Sequence, residues 1–535
     1  MASTFFGLET AKRGMFTQQG ALYVTGHNIS NANTPGYTRQ RVDFVTTTPF
    51  SSPGMNRPGY PGQLGTGVEA GAITRVRDSF LDVQLRTQNT NLGFYGGMTE
   101  SLVKMEEIMN EPSSSGLHSV MNKFWNSLQT LANNTENSGA RDVVTSTGQM
   151  VADTFNYYYN SLTRVQNDLG SQIDVTAKAI NDTLNSINQL NKQISEVEPH
   201  GMLPNDLYDQ RDMLVDKLSG LINIKVTKVK PDHYGNAKEI ADGLYNIELV
   251  QKDGKPYDPP INLLEVNRDG TSDFKQLHVY KDGNKVEGVY IDSITNFPPN
   301  AELPTDLPAD SLTGDQMNFS GELSALIQSF GYETEDGTVK GHYPEMIDNI
   351  NKMAQAFAAE FNLVHKQGYE LNGGKSNLDF FLGDPDTGEI TAANIKVNSV
   401  IKNDPSKIAA GLGDGNAGNN KNAQALADLK TKAFSEYLSK DQIDPGLTGN
   451  IDSFYQGIIG KLGVVSQSAA QDYSNSSIIA ASVEERRQSV SAVSLDEEMI
   501  NMIKFQHAYN ACARNITVVD EMLDKIINGM GIVGR

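Results

Sequence analysis

The residues able to do chemistry are few in this chain and far apart. Eight histidines stand at 27, 118, 200, 233, 278, 342, 365 and 507. None falls in an HExxH or similar spacing, which would set two imidazoles one helical turn apart on a metal ion. The single cysteine, Cys512, allows neither an intrachain disulfide nor a thiolate zinc cluster. It lies in an apolar helical stripe and reads as a small seam residue rather than a reactive thiol. GDGNAG at 413–418 spells G-x-G-x-x-G, but in a Gly/Asn-rich stretch without the strand–turn–helix context a dinucleotide requires. Neither a Walker A pattern nor a G-x-S-x-G elbow occurs. Acidic neighbours such as Glu106–Glu107 and Glu484–Glu485 read as solvated helix positions. The expectation is a non-enzyme, with no catalytic residue, metal ligand or cofactor.

What remains is the chemistry of apolar stripes in water. The 535 residues hold 44 Lys and Arg against 65 Asp and Glu, a net charge of -21. Such a surface repels phosphate backbones, so no nucleic-acid partner is expected. No stretch approaches the ~20 consecutive apolar residues of a membrane span. The N-terminus, MASTFFGLETAKRGMF, lacks the charged and apolar regions of a secretory signal, which by itself points to the cytoplasm.

The elements presenting those stripes are mainly helical. Leu8, Ala11, Met15, Leu22 and Ile29 fall on one helical stripe, interrupted by Gly7, Gly14, Gly20 and Gly26. Each glycine costs a helix interior about 0.5–1 kcal/mol relative to Ala, so this helix depends on packing for its order. NISNANTPGY at 28–37 stops it, and RQRVDFV at 39–45 alternates like a half-buried strand. Residues 49–67 read as an extended loop. Helical segments follow from about 85 to 135, then one long helix over about 140–197, ended by Pro199 and Gly201. Its seam runs from Val151 through Phe155, Leu162, Leu169, Ile173 and Ile180 to Ile194, with a stutter near 169–173.

Residues 222–300 change to short β runs, INIKVTKV, YNIELV and LHVYKDG. Helical spacing returns at 344–367 and again at 450–487, where Tyr455, Ile458, Leu462, Val465, Ala469, Ile479 and Val483 share a seam. In the last helix, Ser494 and Glu497 make a capping-box pattern. Met502, Tyr509, Ile516, Leu523 and Met530 hold one heptad position; Phe505, Cys512, Val519 and Ile526 hold the other.

The fold class expected is mainly α with inserted β-rich domains. A terminal helical assembly unit takes 1–40 and 490–535. A long helical bundle takes 41–220, 320–368 and 450–489; a β-rich domain takes 221–319 and a peripheral mixed insert 369–449. The central seams read as buried within one subunit. The terminal stripes, about 450 residues apart and at chain ends, pair either within the subunit or with other subunits.

GHNISNANTPGYTRQR at 26–41 resembles the signature of the flagellar axial proteins, the group of rod, hook and hook-associated subunits. VSLDEEMINMIKFQHAYNACARNITVVDEMLDKIINGMG resembles the matching C-terminal end of that group. GYTRQ at 36–40, SLDEE at 494–498, the length and the long helical region resemble its hook-associated branch. The close match covers roughly the first and last 45 residues.

The resemblance implies a structural subunit at the junction between hook and filament, exported unfolded through the flagellar secretion channel without a cleaved signal, and extracellular. It implies terminal helices that form a coiled-coil inner layer and that order on assembly. The implied partners are other copies of the chain in a ring or tube, the hook protein, a second junction protein, and an export chaperone on the C-terminal helix. On that reading the assembly residues are Leu8, Met15, Leu22 and Ile29 at one end, with Met502, Phe505, Tyr509, Ile516, Leu523 and Ile526 at the other. Asn28, Asn31, Asn33 and Gly36 would form the turn between layers. Tyr37 and Arg39 serve either a neighbour or that turn. The alternatives are another axial subunit, hook or rod, or a secreted adhesin or enzyme with its activity in the middle insert.

Overall fold

The computed structural model describes residues 5–50, 62–109, 111, 113, 116–292, 310–436 and 447–529. Met530 of the final seam and residues 51–61 of the early loop lie outside them. Helix α1 (Phe6–Ser30) leads into an antiparallel ribbon of β1 (Gln40–Thr46) and β2 (Val68–Arg75). Then come α2 (Ser79–Met109), α3 (Leu117–Asn133), the 60-residue α4 (Ser138–Val197) and α5 (Asn205–Leu221).

One sheet has the order β3-β4-β5-β6, from β3 (Ile224–Val229), β4 (Leu244–Val250), β5 (Pro256–Val266) and β6 (Ser272–Phe274). A second is built on β7 (Gln276–Asp282) and β8 (Lys285–Asp292), joined by β9 (Ser311–Thr313), and, after α6 (Glu322–Phe330), by β10 (Tyr332–Glu333) and β11 (Val339–Lys340). Helix α7 (His342–Gln367) precedes a short pair, β12 (Phe381–Leu382) with β13 (Lys396–Val397), and the small helices α8 (Ser399–Asn403) and α9 (Lys421–Asp428). The chain closes with α10 (Ile451–Ser491) and α11 (Leu495–Gly529).

Helix α4 is the spine. Asn137 caps its first turn by accepting from the Ala140 N–H. Val151, Phe155, Leu162, Leu169, Ile173, Ile180, Ile187 and Ile194 are all buried along it, so the seam expected from periodicity is the one that packs. At about 1.5–3 kcal/mol per large apolar side chain, that line is a main source of the body's stability. The segment after α7 does not stand away from this core. Phe380 and Phe381 enter it beside Phe124, Phe357 and Phe361, with ring centroids 4.9 Å apart for Phe361 and Phe380 and 5.0 Å for Phe357 and Phe381. Asn362 fixes their backbone, accepting from the N–H of both Phe380 and Phe381.

Helix α10 lies antiparallel to α2, with Tyr455 reaching Glu111 at one end and Arg487 facing Asp82 at the other. Tyr455, Ile458, Leu462, Ala469 and Val483 are buried there, as the seam required. Ile479 is not: it is 47% exposed, because Ser476, Ala480 and Val483 take the inward positions in its turn.

Candidate assembly end

The two ends of the chain meet. α1 and α11 run antiparallel: a Cβ at Gly7 would lie 3.5 Å from Val519, and one at Gly14 would lie 2.9 Å from the Cys512 Sγ. Ala21 and Val24 pack near Phe505 and Val42. The line of α1 that is buried is Ala11, Gly14, Thr17, Ala21, Val24, Thr25 and Asn28. Small residues let the two helices come close, so Gly7 and Gly14 are seam positions as well as weak points in the helix.

Leu8, Met15, Leu22 and Ile29 lie beside that line, half-buried. On α11, Met502, Phe505, Tyr509, Ile516 and Leu523 are half-buried along the heptad seam, with Cys512 among them, whereas Ile526 is exposed. The pair therefore covers only part of its apolar surface. Phe16 and Tyr23 on α1 and Met499, Ile503, Val518, Met522 and Ile527 on α11 stay open, Tyr23 at 80% exposure.

A polar joint attaches the pair to the body. Gly36, at φ +79, turns the chain with a backbone that L side chains rarely adopt. Asn28 is the hub: its Nδ2 donates to the Gln40 carbonyl at 2.8 Å, and its Oδ1 accepts from the Gln40 N–H at 3.0 Å and the Tyr37 hydroxyl at 2.8 Å. Asn31 bonds back to the His27 carbonyl at 3.1 Å and Thr34 donates to Asn31, while Asn33 is exposed. The Thr38 N–H donates to Asp209 on α5 at 2.8 Å, and the Gln40 amide donates to Asp206 at 2.9 Å. Arg39 crosses to the other chain end, donating to Glu497 at 2.6 Å and Glu498 at 2.7 Å. GYTRQ and SLDEE, 458 residues apart, are thus the two halves of one contact. Tyr37 and Arg39 both act within the subunit here. Burial, with Asp206, Asp209 and Glu498 nearby, pushes the Tyr37 phenol up, so it stays a donor.

Under the joint lies a charged cluster that the sequence reading missed. Arg75, at the end of β2, donates to Asp209 and Asp212 at 2.8 Å each and to Asp242. Arg77 and Arg86 reach Asp212 at 3.0 and 3.3 Å, and Arg86 and Arg487 both hold Asp216. Burial alone would push the Asp212 carboxyl up, but Arg77, Arg75, Arg86 and Arg211 hold it well below the ordinary carboxylate range. Arg211 is itself buried, its guanidinium 3.5 Å from the centroid of the Tyr245 ring. The signal in the sequence was Asp206, Asp209, Asp212 and Asp216, spaced three and four apart on one face of a helix that also carries Tyr208 and Val215.

This arrangement can hold and orient helices; among the described residues no group of His, Cys, Asp and Glu is placed to bind a metal ion. Comparison with known proteins agrees at both ends. Residues 8–38 match the family described as "Flagella basal body rod protein", and 486–529 match "Flagellar basal body rod FlgEFG protein C-terminal". The class is that of the flagellar axial proteins. Residues 102–255 and 290–381 match the "Flagellar hook-associated protein FlgK helical domain". The chain is 42% identical to flagellar hook-associated protein 1 of Bacillus subtilis (strain 168) across the full length of both, and 23% identical to that of Escherichia coli (strain K12) over 97% of this chain and 99% of the other. It belongs to the flagellar hook-associated protein 1 family. The fold is also similar to the flagellar hook junction protein FlgK of Burkholderia pseudomallei, at a TM-score of 0.54 and 14% identity, covering 77% of this chain and all of the other.

Proposed function

We infer that this chain is a structural, non-catalytic subunit of the bacterial flagellum that forms the junction between hook and filament. The observation that carries this reading is the half-covered terminal helix pair, in a chain 42% identical end to end to a flagellar hook-associated protein 1. Burying apolar area contributes about 25 cal/mol per Å², so the stripes left open on α1 and α11 favour contact with neighbours. The first neighbours are other copies in a ring or tube, with Leu8, Met15, Leu22, Ile29, Met502, Phe505, Tyr509, Ile516, Leu523 and Ile526 in or beside the shared surface. Asn28, Asn31, Asn33 and Gly36 serve the turn from which that surface projects. Hook protein below and a second junction protein above are the further partners, and an export chaperone takes the apolar face of α11 before secretion. The 1–40 and 490–535 segments then form the assembly unit, and residues 41–489 the body outside it. A hook or rod subunit fits less well, because 102–255 and 290–381 match a helical domain described for FlgK.

The test is complementation. In a flagellated bacterium lacking its own hook-associated protein 1, the full chain is expected to restore filaments on hooks. The chain truncated before residue 495 is expected to restore none. Restoration by the truncated chain would contradict assembly through the ends.

A further inference from the structure

Helices α10 and α11 are not one helix. The chain breaks over residues 492–494, where Ala492 is extended with ψ 153°. An elbow between two long helices is a natural pivot, and apolar packing does little to fix it. The small cluster of Ala21, Val24, Val42 and Phe505 at the base of the terminal pair is separate from the main core.

One residue grips both sides of this elbow. The Arg39 N–H donates to the carbonyl of Ser491, the last residue of α10, at 2.9 Å. Its guanidinium donates through Nε to Glu498 at 2.7 Å and through Nη1 to Glu497 at 2.6 Å, both in the first turn of α11. Its carbonyl accepts from the Val76 N–H at 2.8 Å, which ties it to the chain leaving β2. The two carboxylates differ in weight. Glu497 is 60% exposed, and an exposed pair contributes little. Glu498 is 2% exposed and is the one fully buried residue of α11 among those described. A buried carboxylate is held only when compensated, and the cation it meets is Arg39.

We propose that Arg39 is a positioning residue that latches the α10–α11 elbow, so that the terminal helix pair leaves the body at one fixed angle. Neighbouring residues anchor the latch. Gln40 is held by Asn28, and Thr38 by Asp209, so the part of any force on α11 that Arg39 carries passes into α5 and the body. The use of a fixed angle, presenting every copy's open stripes alike, rests on the assembly reading above. The latch itself is a property of the single chain.

Amide hydrogen exchange on the full-length protein tests it. In the wild type, the amides of 38–40 and 498–503 are expected to be protected. Arg39→Ala is expected to raise exchange in both segments together, at least tenfold, leaving α4 unchanged. Glu498→Gln is expected to do the same, and Glu497→Gln to do almost nothing. Arg39→Ala combined with Glu498→Gln is expected to go no further than Glu498→Gln alone, and Arg39→Lys to keep part of the protection. A residue important only for folding would instead loosen α4 as well. The latch is overturned if Arg39→Ala changes 38–40 without 498–503, or if the change spreads through the body, or if Glu497→Gln matches Glu498→Gln. If the exchange results hold while the wild-type chain fails to restore filaments, the flagellar reading fails and the latch stands.

Discussion

Replacing Arg75 by methionine keeps an unbranched apolar stem and removes the charged guanidinium. Arg75 joins three aspartates from two elements: Asp209 and Asp212 on α5, and Asp242 just before β4. Its side chain is 8% exposed, and its guanidinium also lies 4.9 Å from the centroid of the Tyr208 ring. Removing one partner of a buried ion pair costs about 3–5 kcal/mol, because the other charge is left uncompensated. Here the remaining charges soften the loss. Asp212 keeps Arg77 at 3.0 Å, Arg86 at 3.3 Å and the Tyr245 hydroxyl at 2.8 Å. Asp242 keeps Lys228, and Asp209 keeps the Thr38 N–H. The expected cost is therefore the lower bound, about 3 kcal/mol, or roughly a hundredfold in the folding equilibrium. The assay is urea unfolding at neutral pH, followed by the fluorescence of the single tryptophan, Trp125, which is buried in the core. Adding Asp242→Asn should cost less on the Arg75→Met background than alone. The folded-state pKa of Asp212 is depressed, so its contribution is present above its unfolded pKa of about 3.9 and is lost as pH falls through the folded value. Arg75→Met should make the acid side of the stability curve shallower. A loss below about 1 kcal/mol, with unchanged acid sensitivity, would refute the view that this cluster holds the ribbon to the body.

Gly14→Leu at the α1–α11 seam should overpack against Cys512 and weaken the pair by about 1–3 kcal/mol. Faster proteolysis near both chain ends, at unchanged melting of the body, is the expected readout. Glu360 on α7 is 4% exposed, its Oε1 has no hydrogen-bond partner among the described residues, and burial together with Glu436 pushes its carboxyl up to about 7. Its folded pKa lies above the unfolded one, so its contribution is favourable at low pH and declines as pH rises from about 4.5 to 7. Glu360→Gln should therefore stabilise the protein at pH 8 by up to about 3 kcal/mol and change little at pH 5, as urea midpoints at the two values would show. Equal effects at both would contradict it.

Much of this architecture was legible because periodicity reports burial directly. The stripe from Val151 to Ile194 is buried as its spacing required, whereas the heptads of α11, which could pair within the subunit or outside it, are only half-covered, with Ile526 exposed. The α1 face was harder to read. Of the stripe Leu8, Ala11, Met15, Leu22 and Ile29, only Ala11 is buried, and the seam continues through Gly14 and Ala21, because close approach there matters more than bulk. The joint was half-visible: Asn28 and Gly36 read as turn-formers, but which residue Arg39 meets depends on bringing positions 39 and 498 together, and no local pattern encodes that. The charged cluster was hidden for the same reason. Only the fold brings the aspartate ladder of α5 against Arg75 and Arg86. The 369–449 segment, rich in Gly and Asn, gave no sign that Phe380 and Phe381 enter the main core.

Limited proteolysis of the free, full-length protein, with the fragments identified by mass spectrometry, tests the central claim most directly. The half-covered pair is held at the joint and is weakest at its tips, so cleavage should begin before Ala21 and beyond Phe505. The body and the joint should survive, and the tips should become resistant once the chain is assembled on hooks. Chain ends that resist in the free protein as firmly as α4 would mean that one subunit already satisfies its terminal stripes, and assembly through them would be contradicted.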